Sequence, residues 1–142
     1  MPTRNIKELK KLIYTRLTGD ATLIGLLGGT TKIRHANPLQ KAKYPCVVYS
    51  LINEEDDPYE LDISAGVSKS MFQIEVFNTT TSVISVDDID TAIYALFHGE
   101  TFGNTKAKVK TCYRKQRVQI SESETKVIRV YSIYEIVNTT IS

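Results

Sequence analysis

The chain has 142 residues, of which 42% are hydrophobic and 24% are charged, and such values are typical of one soluble globular domain spanning 1–142. Its formal net charge of +2 excludes a surface built throughout for nucleic acid or for an anionic membrane. The longest uncharged apolar run, 21–27, is far shorter than the roughly 20 residues that a membrane span requires, so we expect no membrane partner.

Two helices are predicted at the start of the chain. Asn5 followed by Glu8 fits a capping box, and apolar residues then recur at helical spacing through Thr18. Asp20 then caps a second, short helix, which ends at the pair Gly28-Gly29. The fold therefore begins with two consecutive helices.

Three strands are predicted next. A short one surrounds Ile33, and Tyr44-Pro45 then introduces an extended run, 46–52, whose few polar breaks indicate a central strand covered on both faces. Residues 71–77 alternate between apolar and polar, which is typical of a half-buried antiparallel strand. Between the last two strands, 53–68 is rich in acidic residues and turn formers, so we expect a long solvated loop.

A third helix and a hairpin complete the predicted fold. Ser85 with Asp88 repeats the capping pattern, and an apolar stripe then extends to just before Gly99. Residues 106–120 and 125–137 predict two strands joined by a short polar turn. The order α-α-β-β-β-α-β-β indicates an α+β domain, a mainly antiparallel sheet packed on one face by its two main helices.

No spacing of residues predicts catalysis, a cofactor or a metal. His35 and His98 belong to no metal-binding motif, and a loop histidine and a helix-end histidine are the simpler interpretation. Asp87, Asp88 and Asp90 could form a cation cluster, but the helix dipole favours carboxylates in any first turn. No base, nucleophile and orienting group can be named together, so we expect no enzyme.

The two cysteines and the N-terminus bear on the compartment. Cys46 and Cys112 lie in apolar strand-like segments, where a thiol packs as a small hydrophobe, and we expect both to be reduced. The basic residues near the N-terminus are followed by no continuous apolar segment and no small-residue cleavage site. The expected compartment is therefore cytoplasmic.

Two charged stretches of opposite sign stand out. The acidic one lies within 53–68, and the basic one lies within 106–117, where the first three lysines would share one face of a strand. A complementary contact between copies of the chain would follow, although a solvated loop and a solvated strand face remain the simpler alternative. The candidate assembly contacts are Glu54, Glu55, Asp56, Asp57, Glu60, Asp62, Lys106, Lys108, Lys110, Arg114, Lys115 and Arg117.

Several of these segments together are similar to a known family. They are the N-terminal helix with Leu9, Leu12 and Leu17, the segment 44–49 that follows its tyrosine-proline pair with an apolar strand, and the alternating strand 71–77 followed by an amphipathic helix. In this arrangement the chain resembles the tail-terminator, or tail-completion, proteins of long-tailed bacteriophages. The resemblance spans nearly the whole chain.

This resemblance implies a structural protein of the virion. Such a protein would form a ring with copies of itself, expected to be a hexamer, and would cap the tail tube at its head-proximal end. It would end tube polymerisation by binding the tail tube protein, and it would offer a surface to the head-tail connector or stopper protein. DNA would only pass through the lumen of the ring, assembly would take place in the host cytoplasm, and no cofactor would be needed.

Two other interpretations stay open. Within the structural class, a neck or head-completion (connector) protein of the same kind of virus would also be a small ring-forming α+β protein. From another class, a small nucleic-acid-binding module would use the basic strand with Tyr113 to follow a backbone and stack a base. The scarcity of aromatic residues expected on the surface counts against this second alternative.

Overall fold

The structure, a computed structural model, describes residues 6–35, 44–56, 67–122, 124 and 126–140. Its α-helices and strands follow one another in the predicted order, with one very short strand added after the third α-helix. The elements are α1 (Ile6–Thr18), α2 (Ala21–Leu27), β1 (Ile33–His35), β2 (Cys46–Asp56), β3 (Val67–Thr79), α3 (Val86–Phe97), β4 (Phe102–Gly103), β5 (Ala107–Glu122) and β6 (Val127–Thr140).

Capping groups define the helix ends. The Asp20 side chain accepts a hydrogen bond from the Leu23 amide at 3.0 Å and starts α2, and Gly28 ends that helix at φ 86°, a left-handed conformation that favours glycine. Ser85 starts α3 in the same way, because its hydroxyl accepts from the Asp88 amide at 3.1 Å. The predicted cap of α1 at Asn5 lies outside the described residues.

The strands form one sheet in the order β1-β2-β3-β6-β5-β4. Only β1 and β2 are parallel, and every other pairing is antiparallel, so the predicted α+β class and the β5-β6 hairpin are confirmed. The prediction that β2 is central holds in part, since β2 lies between β1 and β3 but is second from the edge of the sheet, and β1 pairs with only three of its residues. Residues 46–49 are nevertheless buried, as a strand covered on both faces requires.

The core lies between one face of the sheet and the helices. Phe72 of β3 stacks on Tyr134 of β6 with ring centroids 5.2 Å apart, and Phe97 of α3 meets Phe72 edge to face at 5.3 Å. All three α-helices, and not two, contribute to this core. Their buried side chains are Leu9, Leu12, Ile13, Leu17, Leu23, Leu27, Val86, Ile89, Ile93 and Phe97.

The acidic segment 53–68 was predicted to be a loop, and the structure differs from that prediction at both ends of the segment. The strands β2 and β3 continue into that range, and backbone pairing runs from Asn53 opposite Met71 to Asp56 opposite Ser68. Cross-strand pairing in the tertiary structure therefore overrides the unfavourable strand propensity of acidic residues. The rest of that predicted loop, 57–66, lies outside the described residues.

Candidate assembly surfaces

Asp90 is the centre of a charged cluster between α3 and β5. Its side chain is only 5% exposed and accepts hydrogen bonds from Arg117 Nε at 2.8 Å and from Arg114 Nη2 at 3.2 Å. Ser132 of β6 donates to its other oxygen at 3.3 Å, and Arg117 also pairs with Asp87. The buried carboxylate is therefore both charge-paired and hydrogen-bonded, as a buried charge must be.

A β-bulge brings the two arginines of this cluster to the same face. Positions three apart on a regular strand point to opposite faces of the sheet. The pairing of β5 with β6 shifts between Arg114 and Gln116, so Lys115 is an extra residue and Arg117 returns to the helix-covered face. On the helix, Asp87 and Asp90 are three residues apart and lie on one side of α3.

The charges of the cluster are paired within the chain. Hydrogen bonding to Asp90 is the main reason why the pKa of Arg117 is raised above its ordinary value, and the Asp90 and Asp87 charges add to the effect. The Arg114 guanidinium also lies over the Tyr94 ring, 4.4 Å from its centroid, in a cation–π contact. Because both arginines are committed within the chain, their first contribution is to hold α3 on the sheet.

The other basic residues of the predicted surface divide into two pairs. Lys106 and Lys115 lie 4.0 Å from Glu8 and 3.9 Å from Glu135, respectively. Lys108 and Lys110 are exposed and form no ion pair with a described residue. Lys106, Lys108 and Lys110 are exposed and the residues between them, Ala107 and Val109, are buried, so the predicted alternation holds. Lys106 precedes β5, and a second register shift, between Val109 and Thr111, places Lys110 at a bulge.

The described acidic candidates belong to a strand near one edge of the sheet, and the basic strand β5 lies near the opposite edge. Glu54, Glu55 and Asp56 end β2, which is separated from β5 by β3 and β6. Their own backbones pair with β3, so they cannot pair with β5 as neighbouring strands of the same copy. The remaining acidic candidates, Asp57, Glu60 and Asp62, lie outside the described residues.

An aromatic group next to β5 was not predicted from the sequence. The His98 ring stacks on Tyr94 with centroids 4.4 Å apart and meets Tyr113 edge to face at 5.6 Å. Its Nδ1 accepts a hydrogen bond from the Arg114 amide at 3.1 Å. The spacing of Tyr94 and His98 at i and i+4 is the signal that could have paired them, whereas Tyr113 joins them only through the fold.

A shallow apolar groove opens beside β4. It has a volume of about 700 Å³ and lies between the β4 residue Phe102 and the β5 residues Val109 and Lys110. Lys108 also lines it. The two lysines without an ion-pair partner among the described residues therefore border this groove.

The residues considered for chemistry are held apart or committed to other contacts. Cys46 and Cys112 are buried free thiols, and burial raises the pKa of Cys112 to about 12, so its reactive thiolate form is strongly disfavoured. Within the described residues, no group of three or more His, Cys, Asp or Glu side chains is arranged to hold a metal ion. No described helix combines the length and apolar character of a membrane span.

The fold is similar to one seen in a solved virus-like particle. A chain in the structure of the virion of a native gene transfer agent particle superposes with a TM-score of 0.72, over 94% of this chain and 96% of that chain. The two sequences are 16% identical, so the comparison establishes a shared fold. No family profile matches this chain, and no curated protein matches it by sequence.

Proposed function

We propose that this chain is a non-enzymatic structural protein of a virion. The observation that carries the proposal is the shared fold, which covers nearly the full length of both this chain and a chain of the gene transfer agent virion. The described residues add support, because their buried charges are used to hold helix to sheet. Asp90 with its two arginines is the main example.

Within the virion, we propose the role of tail terminator. Copies of the chain form a ring, taken to be a hexamer, at the head-proximal end of the tail. The ring ends polymerisation of the tail tube protein and presents its other side to the head-tail connector protein, while DNA passes through the lumen. The resemblance of the helix, strand and hairpin segments to tail-terminator proteins supports this assignment, and the solvent-exposed Lys108 and Lys110 offer a contact surface.

The experiment is a capping assay with polymerising tail tube protein. The purified chain is first measured by light scattering over a wide concentration range at low and moderate salt. It is then added to tube protein during polymerisation, and tube lengths are measured by electron microscopy. We expect a discrete ring-sized species, alone or on tube ends, and tubes that shorten as the ratio of this chain to tube protein increases.

Two outcomes would contradict this role. Tubes of unchanged length without the chain at their ends would overturn the terminator assignment. Copurification with head connector protein but not with tube protein would replace it with a neck protein. As a control, the heat-denatured chain tests whether unfolded protein shortens tubes nonspecifically.

A further inference from the structure

The two edges of the sheet are both stepped. On one edge, the three residues of β1 pair with Val47, Val48 and Tyr49, so the rest of β2 has no strand beyond it among the described residues. On the opposite edge, β4 pairs only with Lys108 and Val109 of the 16-residue β5. Each edge therefore has one half extended by a short strand and one half set back.

The extended half of one edge lies level with the set-back half of the other. Following the paired residues across the sheet from Arg34 in β1 leads through Val48, Glu75 and Tyr131 to Val118 in β5. Val118 is far along β5 from β4. The short strand β1 therefore lies in the same rows of paired residues as the part of β5 that β4 does not cover.

The second step obeys the same relation. The row that starts at Phe102 in β4 passes through Val109, Asn138 and Ser68 and ends at Asp56, the last residue of β2. No described strand covers β2 at that height. If two copies are placed side by side without a vertical shift, each protruding strand faces a recess of its neighbour.

The backbone of β5 shows where its outer edge becomes free. The Cys112 carbonyl accepts from the Gly99 amide at 2.7 Å, and the Arg114 amide donates to His98. After the bulge, no described segment pairs with the outer edge of 116–121. The Arg114 amide points outward, and amide directions alternate along an antiparallel strand. Since Lys115 is an extra residue at the bulge, Gln119 is four ladder positions beyond Arg114, and its amide also points outward.

The composition of this free edge favours pairing with another strand. Exposed edges in soluble proteins are usually protected by lysine, proline or a bulge. Along β5, Lys110 and Lys115 are both at bulges, upstream of the free segment. Residues 116–121 contain neither lysine nor proline, and they present Val118 and the 39% exposed Ile120.

We propose that β1 of one copy of this chain pairs with residues 116–121 of β5 in the next copy, which continues the sheet across the ring of the proposed function. The directions are suitable, since β1 runs parallel to β2 and therefore antiparallel to β5. The contact joins two different edges, so it is heterologous, and a heterologous contact closes a ring where the rotation from one copy to the next divides a full turn, as the proposed function requires. In the same contact, β4 lies beside the uncovered end of the neighbour's β2.

Disulfide trapping between copies tests this contact. Arg34 and Val118 share the face of the sheet that the helices leave open, and the double variant Arg34→Cys/Val118→Cys is oxidised at concentrations where light scattering detects the oligomer. Within one copy the two positions are four strand spacings apart, about 19 Å, which is too far for a disulfide. We expect a ladder of covalent oligomers on non-reducing gels, and buried Cys46 and Cys112 to stay unreacted.

A matched control uses the protected part of the same strand. Arg34→Cys/Thr111→Cys places the second thiol on an exposed β5 residue whose neighbouring edge is covered by residues 98–101, and we expect no ladder. Two further double variants combine Arg34→Cys with a cysteine at Gln116 or at Ile120 instead of Val118. They detect the contact if its register is shifted by two residues.

A backbone test complements the trapping. Proline at Gln119 removes an outward amide without breaking the ladder with β6, so Gln119→Pro should fold and lose at least tenfold in association. Gln119→Ala should associate like the parent. A discrete oligomer that forms no 34-to-116, 118 or 120 disulfide and tolerates Gln119→Pro would overturn the edge contact and leave the ring role standing. A chain that is monomeric at every concentration and forms no cross-link would overturn the self-contact, while tube capping would still decide the terminator role.

Discussion

Asp90 shows how single residues in this protein carry structural tasks that a charge pattern does not reveal. It lies in the first turns of α3, where an acidic residue is ordinary, yet it is buried against β5 and β6. Two arginines that could have belonged to a basic surface are bound to it. At this scale, the charges of the chain serve stability first.

Removing this carboxylate should therefore destabilise the fold strongly. Asp90→Ala leaves the largely buried Arg114 without its carboxylate, and breaking a buried pair in this way costs about 3 kcal/mol. The free energy of unfolding, measured by urea denaturation, gives the value. Asp88→Ala removes an exposed carboxylate from the same turn and should cost well under half as much. Equal losses would show that the cluster contributes no more than the helix dipole.

Cys112 gives the fold a dependence on alkaline pH. Burial raises its pKa from 9.0 to about 12, so above pH 9 the unfolded chain releases a proton that the folded chain keeps. Stability is therefore full below pH 9 and falls as the pH rises towards 12, by at most about 1.4 kcal/mol per pH unit for this group. The decline in unfolding free energy from pH 9 to 10.5 should be shallower in Cys112→Ala than in the parent. Equal slopes would assign the decline to other groups.

At the scale of elements, the cap of α3 stabilises the helix that carries both aspartates of the charged cluster. Ser85→Ala removes the acceptor of the Asp88 amide and should cost about 1 kcal/mol of unfolding free energy. Ser85→Asp keeps an acceptor and should stay within a few tenths of the parent. Chemical denaturation of both variants checks this, and an equal loss in Ser85→Asp would mean that the hydroxyl acts through another contact.

The strands show which elements are readable from sequence. Alternation along β3 and β6 and the apolar run at the start of β2 predicted those strands, because side chains facing a core must repeat every two residues. The acidic end of β2 was predicted as loop, since its strand is stabilised by pairing with β3 and not by its own residues. The bulges of β5 were not predicted, because a residue is recognised as extra only when the strand is compared with the strand that it pairs with, β6.

For the whole molecule, the exposed lysines at the groove beside β4 belong to the proposed assembly. Lys108→Glu/Lys110→Glu reverses two charges that no described carboxylate neutralises and should weaken ring formation, most clearly at low salt. The mass distribution by light scattering measures the effect. Lys7→Glu/Lys11→Glu makes the same charge change on two exposed residues of α1 and should leave assembly intact. Unchanged rings in the groove variant would remove these lysines from the interface.

By itself, the sequence determined the α+β class, the order of the main elements and the caps of α2 and α3. Those features depend on hydrophobic period and on residues a few positions apart, which any single chain displays. Only the tertiary structure decided that Arg114 and Arg117 bind Asp90, that β2 and β3 extend into the acidic segment, and that the two sheet edges step in opposite directions. Each of these depends on which strands become neighbours, and contacts between distant segments are chosen by packing the whole core at once.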